Sequence, residues 1–188
     1  MITTFDATLK TLAAAATLGL AAAGAAQAAP IYATGATIVA DGPRGTENGR
    51  DDLANAFGSD LGGFFELGRG ATVDFTFGTR FTGPVTIDEV TFGDVSDHPE
   101  SVDVYGGLNG AYTFVTSVTN LVAAAAGGAT FDLSDVYDTL RLVDTSAAPS
   151  RGFDVDRIGV SPIPVPAAGV LLLGALGALG LMARRRAA

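Results

Sequence analysis

Apolar and polar residues alternate through the middle of this chain. Val73, Phe75 and Phe77 are separated by Asp74 and Thr76. A period of two gives an extended strand one apolar face and one polar face that can lie in solvent. The same alternation recurs at Val102, Val104, Phe114, Thr116, Val118, Phe131, Leu133, Leu140 and Leu142. The pattern predicts half-buried β-strands whose apolar faces share one core.

Turn residues separate these runs, for example Gly83-Pro84, Asn109-Gly110 and Gly127-Gly128. About eight or nine short strands result. No helical periodicity is long enough to cross over between parallel strands, so we expect antiparallel pairing and two packed sheets. The predicted fold class is all-β, an antiparallel β-sandwich.

Two strands change apolar parity part-way, and one inserted residue would restore the inward face in each. We therefore predict bulges near Asp88-Glu89 and near Asp156-Arg157. After the first bulge, Val90 and Phe92 would face the core.

Charge and residue types narrow the function classes. Residues 29–162 carry 19 acidic and seven basic side chains, a net charge near −12. Such a surface disfavours nucleic acid and suits divalent cations or neutral partners such as polysaccharide. With no cysteine and one histidine, His98 in a polar turn, neither a thiolate nucleophile nor a multi-histidine zinc site can form. We predict a protein that is not an enzyme; the catalytic alternative is a glycan-active carboxylate pair.

Oxygen-bearing side chains cluster after the Asn48-Gly49 turn, and calcium binds such clusters. The candidate ligands are Asp51, Asp52, Asn55 and Asp60, with Asp154 or Asp156 from the last strand. The alternative is structural: Asp51 or Asp52 caps a helical turn that carries Leu53 and Phe57. Calcium is the one candidate cofactor.

The N-terminal segment 1–28 has the pattern of a signal peptide. Lys10 is its only basic side chain, and an uncharged stretch from Thr11 to Ala26 follows. The small residues Ala26 and Ala28 predict cleavage before Ala29 by signal peptidase after export through the Sec translocon. A retained membrane anchor is the alternative. The β-sandwich domain is predicted to span residues 29–160.

The C-terminal segment has three parts. Residues 161–166 are a proline-rich linker, and Ala167 to Ala183 are 17 residues without a charge, about 25 Å as a helix. This predicts a short transmembrane helix at 167–183. The basic tail at 184–188 is predicted to stay in the cytoplasm, which leaves the upstream domain outside.

The C-terminal segment resembles the VPLPA-CTERM variant of the PEP-CTERM sorting signal. The residues that carry the resemblance are Pro164, Val165, Pro166 and Ala167, the apolar span that follows, and Arg184, Arg185 and Arg186. Ile163 and Val165 are conservative exchanges at two motif positions. The resemblance implies a Gram-negative source, an inner-membrane-anchored precursor and cutting by an exosortase-like enzyme. The product would be a cell-surface or extracellular-matrix protein with a structural or adhesive role. A plain C-terminal anchor is the alternative.

A second resemblance begins at Asn55. The stretches that carry it are residues 55–60, 64–68, 101–107, 140–146 and 152–156, which are similar in order and spacing to the discoidin-like, galactose-binding-like jelly roll. It implies a jelly-roll β-sandwich and offers a calcium-assisted carbohydrate-binding module as a further alternative. In that family loop aromatics contact the sugar, but Tyr32, Tyr105, Tyr112 and Tyr137 cannot be assigned to loops from sequence.

Overall fold

A computed structural model describes residues 28–60, 62–92, 94–121, 128–148, 151–163 and 174–176. The chain divides into one compact unit, Ala29–Ile163, and a second formed by Met1–Ala28 and Pro164–Ala188. Of the second unit only Ala28 and the helical residues 174–176 are described. No helix among the described residues has the length and apolarity needed to cross a bilayer. The predicted signal peptide, sorting motif, span and basic tail otherwise lie outside the described residues.

Eight strands occur in the described part of the Ala29–Ile163 unit, and all of their pairings are antiparallel. They are β1 Ile31–Tyr32, β2 Gly35–Ala40, β3 Phe65–Glu66, β4 Thr72–Glu89, β5 Ser101–Leu108, β6 Ala111–Thr119, β7 Gly128–Asp144 and β8 Asp154–Pro162. Two 3-10 turns, Glu47–Gly49 and Leu53–Ala56, lie between β2 and β3. The all-β prediction is confirmed.

The long strands β4 and β7 run through both layers of the sandwich. They pair with each other in both halves, with register shifts between Thr76 and Gly83. The first half of β4 also pairs with β2, and the second half pairs with β8. One layer is therefore ordered β2-β4-β7-β5-β6, and the other is β7-β4-β8 with β1 and β3 on the far side of β8.

The core confirms the alternation. Val73 and Phe75 are fully buried, and Phe77 is 4% exposed. Val102, Val104, Leu140 and Leu142 are also fully buried. Each such side chain stabilises the fold by about 1.5–3 kcal/mol relative to an exposed position.

Phe114 was predicted to face inward, and this is wrong: it is 53% exposed. The pairing of β5 with β6 shifts register between Val104 and Tyr105. Phe114 therefore lies opposite Tyr105 on the outer face, and Val115 packs against the core instead.

Two bulges were predicted, one on β4 and one on β8, and the pairing of these two strands shows a single bulge at that point. Asp88 pairs with Arg157 and Glu89 pairs with Val155, which leaves Asp156 as the extra residue on β8. An inserted residue changes side-chain parity only in the strand that contains it. The parity of β8 therefore changes, as predicted, whereas that of β4 does not.

The expectation that Val90 and Phe92 face the core is consequently wrong. Strand β4 keeps its odd parity to its last residue, Glu89, which is 3% exposed. Val90 is half-buried and Phe92 is 58% exposed. The carboxyl group of Glu89 therefore lies in the core, and the ring of Phe92 lies outside it.

Strand β8 continues to Pro162, two residues into the segment predicted as linker. Pro162 lies opposite Phe81, and Ile163 N donates to Arg80 O at 3.3 Å.

Candidate functional site: a carboxyl-lined pocket beside β3 and β8

A pocket of about 240 Å³ opens where β3 and β8 begin. Its lining comes from the first 3-10 turn, β3, the loop after β4 and the segment leading into β8. The lining residues are Arg50, Glu66, Phe92, His98, Glu100, Arg151, Gly152 and Asp154. We refer to it below as the carboxyl pocket.

Two carboxyl residues of the lining lie opposite each other on neighbouring strands. Glu66 of β3 and Asp154 of β8 are direct cross-strand partners, 1% and 6% exposed. Like charges directly opposite one another destabilise a strand pair, and burial adds a desolvation cost. Backbone bonds hold the pair in place: Glu66 N donates to Arg50 O at 2.8 Å, and Leu67 N donates to Phe153 O at 3.0 Å.

Arg50 compensates part of this charge. Its Nη1 donates to Glu66 Oε2 at 3.1 Å, and its Nε donates to Glu47 O at 3.2 Å. Its guanidinium also lies 5.2 Å from the ring centre of Phe64. Within the described part of the chain, Glu66 Oε1 and Asp154 Oδ1 have no hydrogen-bond partner. Buried polar atoms are normally paired, so these two oxygens are candidates for ligand contact.

Asp154 is protonated near neutral pH. Burial, reinforced by the charge of Glu66 and opposed by Arg50, raises the pKa of Asp154 from 3.8 to about 8. At neutral pH the pocket therefore holds a carboxylic acid, on Asp154, directly opposite Glu66. Strongly raised pKa values of this kind cluster at functional sites.

A second carboxyl pair lies behind the first. Glu89 accepts from Thr91 Oγ1 at 2.6 Å and is hydrogen-bonded to Glu100. Because an ionised carboxylate has no proton to donate, this pair shares one. Burial raises the pKa of Glu89, opposed by these two hydrogen bonds.

Asn120, 1% exposed, holds the loop that forms one wall. Its Oδ1 accepts from Glu100 N at 3.0 Å, and its Nδ2 donates to Thr91 Oγ1 and to His98 O, both at 2.9 Å. His98 is exposed, as expected for a solvated turn, but lies on the rim.

An aromatic edge completes the rim. The ring of Phe92 lies 5.3 Å from that of Phe64, centre to centre, and leaves 58% of Phe92 exposed. A large exposed apolar side chain beside converging polar groups is typical of a binding site.

The start of β8 is fixed by Asp144. Its carboxylate accepts from Phe153 N at 2.8 Å, Ser146 N at 3.1 Å and Gly70 N at 3.2 Å. Burial raises the pKa of Asp144, and these bonds oppose the rise. No side chain fits at neighbouring Gly152, where a Cβ would lie 2.7 Å from Gly68 N.

Of the predicted calcium ligands, Asp154 alone lines the carboxyl pocket. Asp52 caps the Leu53–Ala56 turn by accepting from Ala54 N at 2.9 Å, Asn55 Nδ2 donates to Gly49 O at 2.7 Å, and Asp156 accepts from Gly62 N at 3.4 Å. Asp51 and Asp60 are exposed. In the described ranges no three Asp, Glu or His side chains are arranged to hold a metal ion. The calcium site stays a prediction.

Sequence reasoning missed Arg50, Glu66, Glu100 and Phe92. One signal was available: Glu66 interrupts the apolar run Phe64 to Leu67, as Asp154 interrupts Phe153 to Val155. The tyrosines considered as sugar contacts all lie on strands: Tyr32 on β1, Tyr105 on β5, Tyr112 on β6 and Tyr137 on β7.

Two other features are weaker candidates. A hollow of about 510 Å³ beside the β5–β6 hairpin includes Val136 and Tyr137, with Asp135 as its one charged side chain. On the outer face, Arg141 binds Asp74 at 2.7 and 2.9 Å and stacks 3.6 Å from the ring centre of Tyr112. Tyr112 also donates to Asp74 at 2.6 Å, so this cluster is satisfied internally and ties together β4, β7 and β6.

Comparison with solved structures identifies the architecture. The family 32 carbohydrate-binding module of AlyQ, in complex with 4,5-unsaturated mannuronic acid, matches with a TM-score of 0.51 at 13% identity, over 70% of this chain and 97% of that one. The family 32 module of C. perfringens NanJ, in complex with galactose, matches with a TM-score of 0.51 at 13% identity, over 70% and 98%. The fold is a jelly-roll β-sandwich.

A chitosan-binding module of a Paenibacillus sp. IK-5 chitosanase/glucanase matches with a TM-score of 0.50 at 12% identity, over 71% and 99%. At these identities the likeness shows the fold alone. No family model matches the sequence. No curated protein matches it either.

Proposed function

We propose that the Ala29–Ile163 unit is a carbohydrate-binding module that binds one sugar residue in the carboxyl pocket. The observation that carries the proposal is the exposed ring of Phe92 beside the buried carboxyl groups of Glu66 and Asp154 and the half-buried guanidinium of Arg50. A sugar ring has an apolar C–H face that suits an aromatic side chain and hydroxyl groups that suit charged, bidentate partners.

The size of the pocket supports a small ligand. Its volume of about 240 Å³ is below the roughly 300–1,000 Å³ of pockets for drug-sized molecules. It suits one ring of a polysaccharide, with the neighbouring rings in solvent. The structural neighbours named above are carbohydrate-binding modules, which favours the same class of ligand.

The module would act in an exported protein. The signal-peptide pattern, the VPLPA-like tail and the net acidic domain support a surface or extracellular-matrix protein, sorted by an exosortase-like enzyme, whose sugar binding serves an adhesive task. A purely structural coat protein is the second candidate. The outer face favours it, because exposed Phe114 pairs there with half-buried Tyr105, with ring centres 5.5 Å apart.

A glycan array with the exported protein tests the proposal. We expect saturable binding that Phe92→Ala weakens by about tenfold or more. Phe114→Ala is the matched control, because Phe114 is 53% exposed against 58% for Phe92 and lies on the outer face. Absence of binding to any glycan, or equal losses in the two variants, would contradict the assignment.

A further inference from the structure

Two buried carboxyl oxygens of the carboxyl pocket have no hydrogen-bond partner among the described residues. They belong to Glu66 and Asp154, and the nearest cation of the lining is the half-buried guanidinium of Arg50. Arg151, the other cation of the lining, is 64% exposed and pairs with Glu47 at 3.6 Å. Arg50 reaches Glu66 Oε2 and leaves Glu66 Oε1 and Asp154 Oδ1 without a partner among the described residues. Both of these residues are more than nine-tenths buried.

Such an arrangement costs stability unless something enters to satisfy it. Buried unpaired acceptors are costly, and a cross-strand pair of acids adds to the cost. A neutral hydroxyl would satisfy one acceptor with its single proton. An ammonium group offers three donors and a positive charge on a compact centre.

Resting on the proposed function, we infer that the sugar bound in the carboxyl pocket carries a protonated primary amine, held between Glu66 Oε1 and Asp154 Oδ1. The ligand class is an amino sugar with a free amino group. The same arrangement disfavours uronic acids, which would bring a further negative charge next to Glu66.

An ammonium fits better than a metal ion. Calcium takes six to eight oxygen ligands in most protein sites, and no three ligating side chains converge among the described residues. Arg50 also already occupies one oxygen of Glu66. An ammonium makes no comparable demand on coordination number, and water can accept a hydrogen bond from its third N–H.

Binding of a cation should also change the proton count. The pKa of Asp154 is raised to about 8 by burial and by Glu66, so this group is protonated in the empty pocket at neutral pH. An adjacent ammonium favours the ionised form, so Asp154 should release its proton to solvent when the amine enters. The other charged or titratable groups around this pair are Arg50, Arg151, Asp144, the Glu89–Glu100 pair and His98 on the rim.

The test is calorimetric titration of the full-length protein in mild detergent at about pH 6.5. The probes are a glucosamine oligomer, its N-acetylated counterpart and an unmodified glucose oligomer of equal length. We expect the free amine to bind at least about tenfold more tightly than the other two. Runs in buffers of different ionisation enthalpy should show proton release for that probe alone.

Asp154→Asn keeps the shape of the protonated side chain but cannot ionise. It should lower affinity for the amine about tenfold or more and abolish proton release. Glu66→Gln should also weaken binding, and Asp132→Asn, an exposed carboxylate outside the pocket, should not. If Glu66→Gln fails to fold, the test rests on Asp154→Asn, whose thermal unfolding transition shows whether that variant is folded.

The outcomes separate the two claims. Equal affinity for free and acetylated oligomers, lost in Phe92→Ala, would overturn the ammonium inference and keep the sugar site. Stabilisation by calcium that Asp154→Asn abolishes, with no preference for the amine, would mean that the pocket holds a metal ion. No binding of any sugar would remove both claims.

Discussion

Replacing Asp154 by Asn should stabilise the domain at high pH and have little effect at low pH. The unfolded carboxyl ionises near pH 3.8, whereas in the folded domain the pKa of Asp154 is about 8 because of burial and of Glu66. Between these values the folded state binds more protons than the unfolded state, so stability falls as the pH rises. The penalty is absent below about pH 4, grows between about pH 4 and 8, and is complete above about pH 8.

The magnitude follows from the two pKa values. One pKa unit corresponds to about 1.4 kcal/mol, so a rise from 3.8 to about 8 sets an upper limit of roughly 5–6 kcal/mol. Water that enters when the carboxyl ionises raises the local dielectric constant and reduces this cost. We expect Asp154→Asn to be more stable than the unchanged protein by about 2–4 kcal/mol at pH 8.

The assay is urea unfolding of residues 29–163 at pH 4, 6 and 8, with Asp132→Asn as a control that makes the same substitution at an exposed site. The gap between Asp154→Asn and the unchanged protein should open steadily with pH, while the control stays within about 0.5 kcal/mol. A gap that is constant with pH, or that closes as the pH rises, would refute the assignment of a buried, protonated carboxyl.

Three further predictions concern the core, calcium and the tail. Phe75→Ala should cost about 3–5 kcal/mol in a urea titration and exposed Thr76→Ala little; equal losses would contradict the core assignment. If the predicted calcium site exists, millimolar calcium but not magnesium should raise the melting temperature over that in EDTA, with about 2.7 kcal/mol of stabilisation at a hundredfold excess over Kd. An equal rise in Asp52→Asn/Asp60→Asn would remove the site. The intact mass of the surface protein should correspond to a chain without the apolar span, and Pro166→Leu should trap a membrane-bound precursor. Full-length protein at the surface would instead indicate a plain anchor.

The sequence predicted the parts of the fold that depend on local pattern. Strict alternation identified Val73 and Phe75 as core residues, because a buried sheet face selects apolar side chains at every second position. Asp52 was recognised as one possible helical cap from its position before Leu53, and it is the cap.

Features that depend on pairing between strands were not predictable in the same way. Phe114 faces outward because of a register shift against β5, and nothing in its own strand reveals that shift. The extra residue near Asp88 lies on the partner strand β8, so Phe92 could not be placed from β4 alone. The pair of Glu66 and Asp154 joins residues 88 positions apart, and only the β3–β8 register brings them together.

The most direct test of the sugar site is an amide chemical-shift titration of the isotopically labelled domain with the glycan that binds it. The proposed site predicts the largest shifts at the amides of Glu66, Phe92 and Asp154, with Tyr105 and Phe114 on the outer face unchanged. Shifts confined to the outer face, with the carboxyl pocket unaffected, would contradict the claim that sugar binds between β3 and β8.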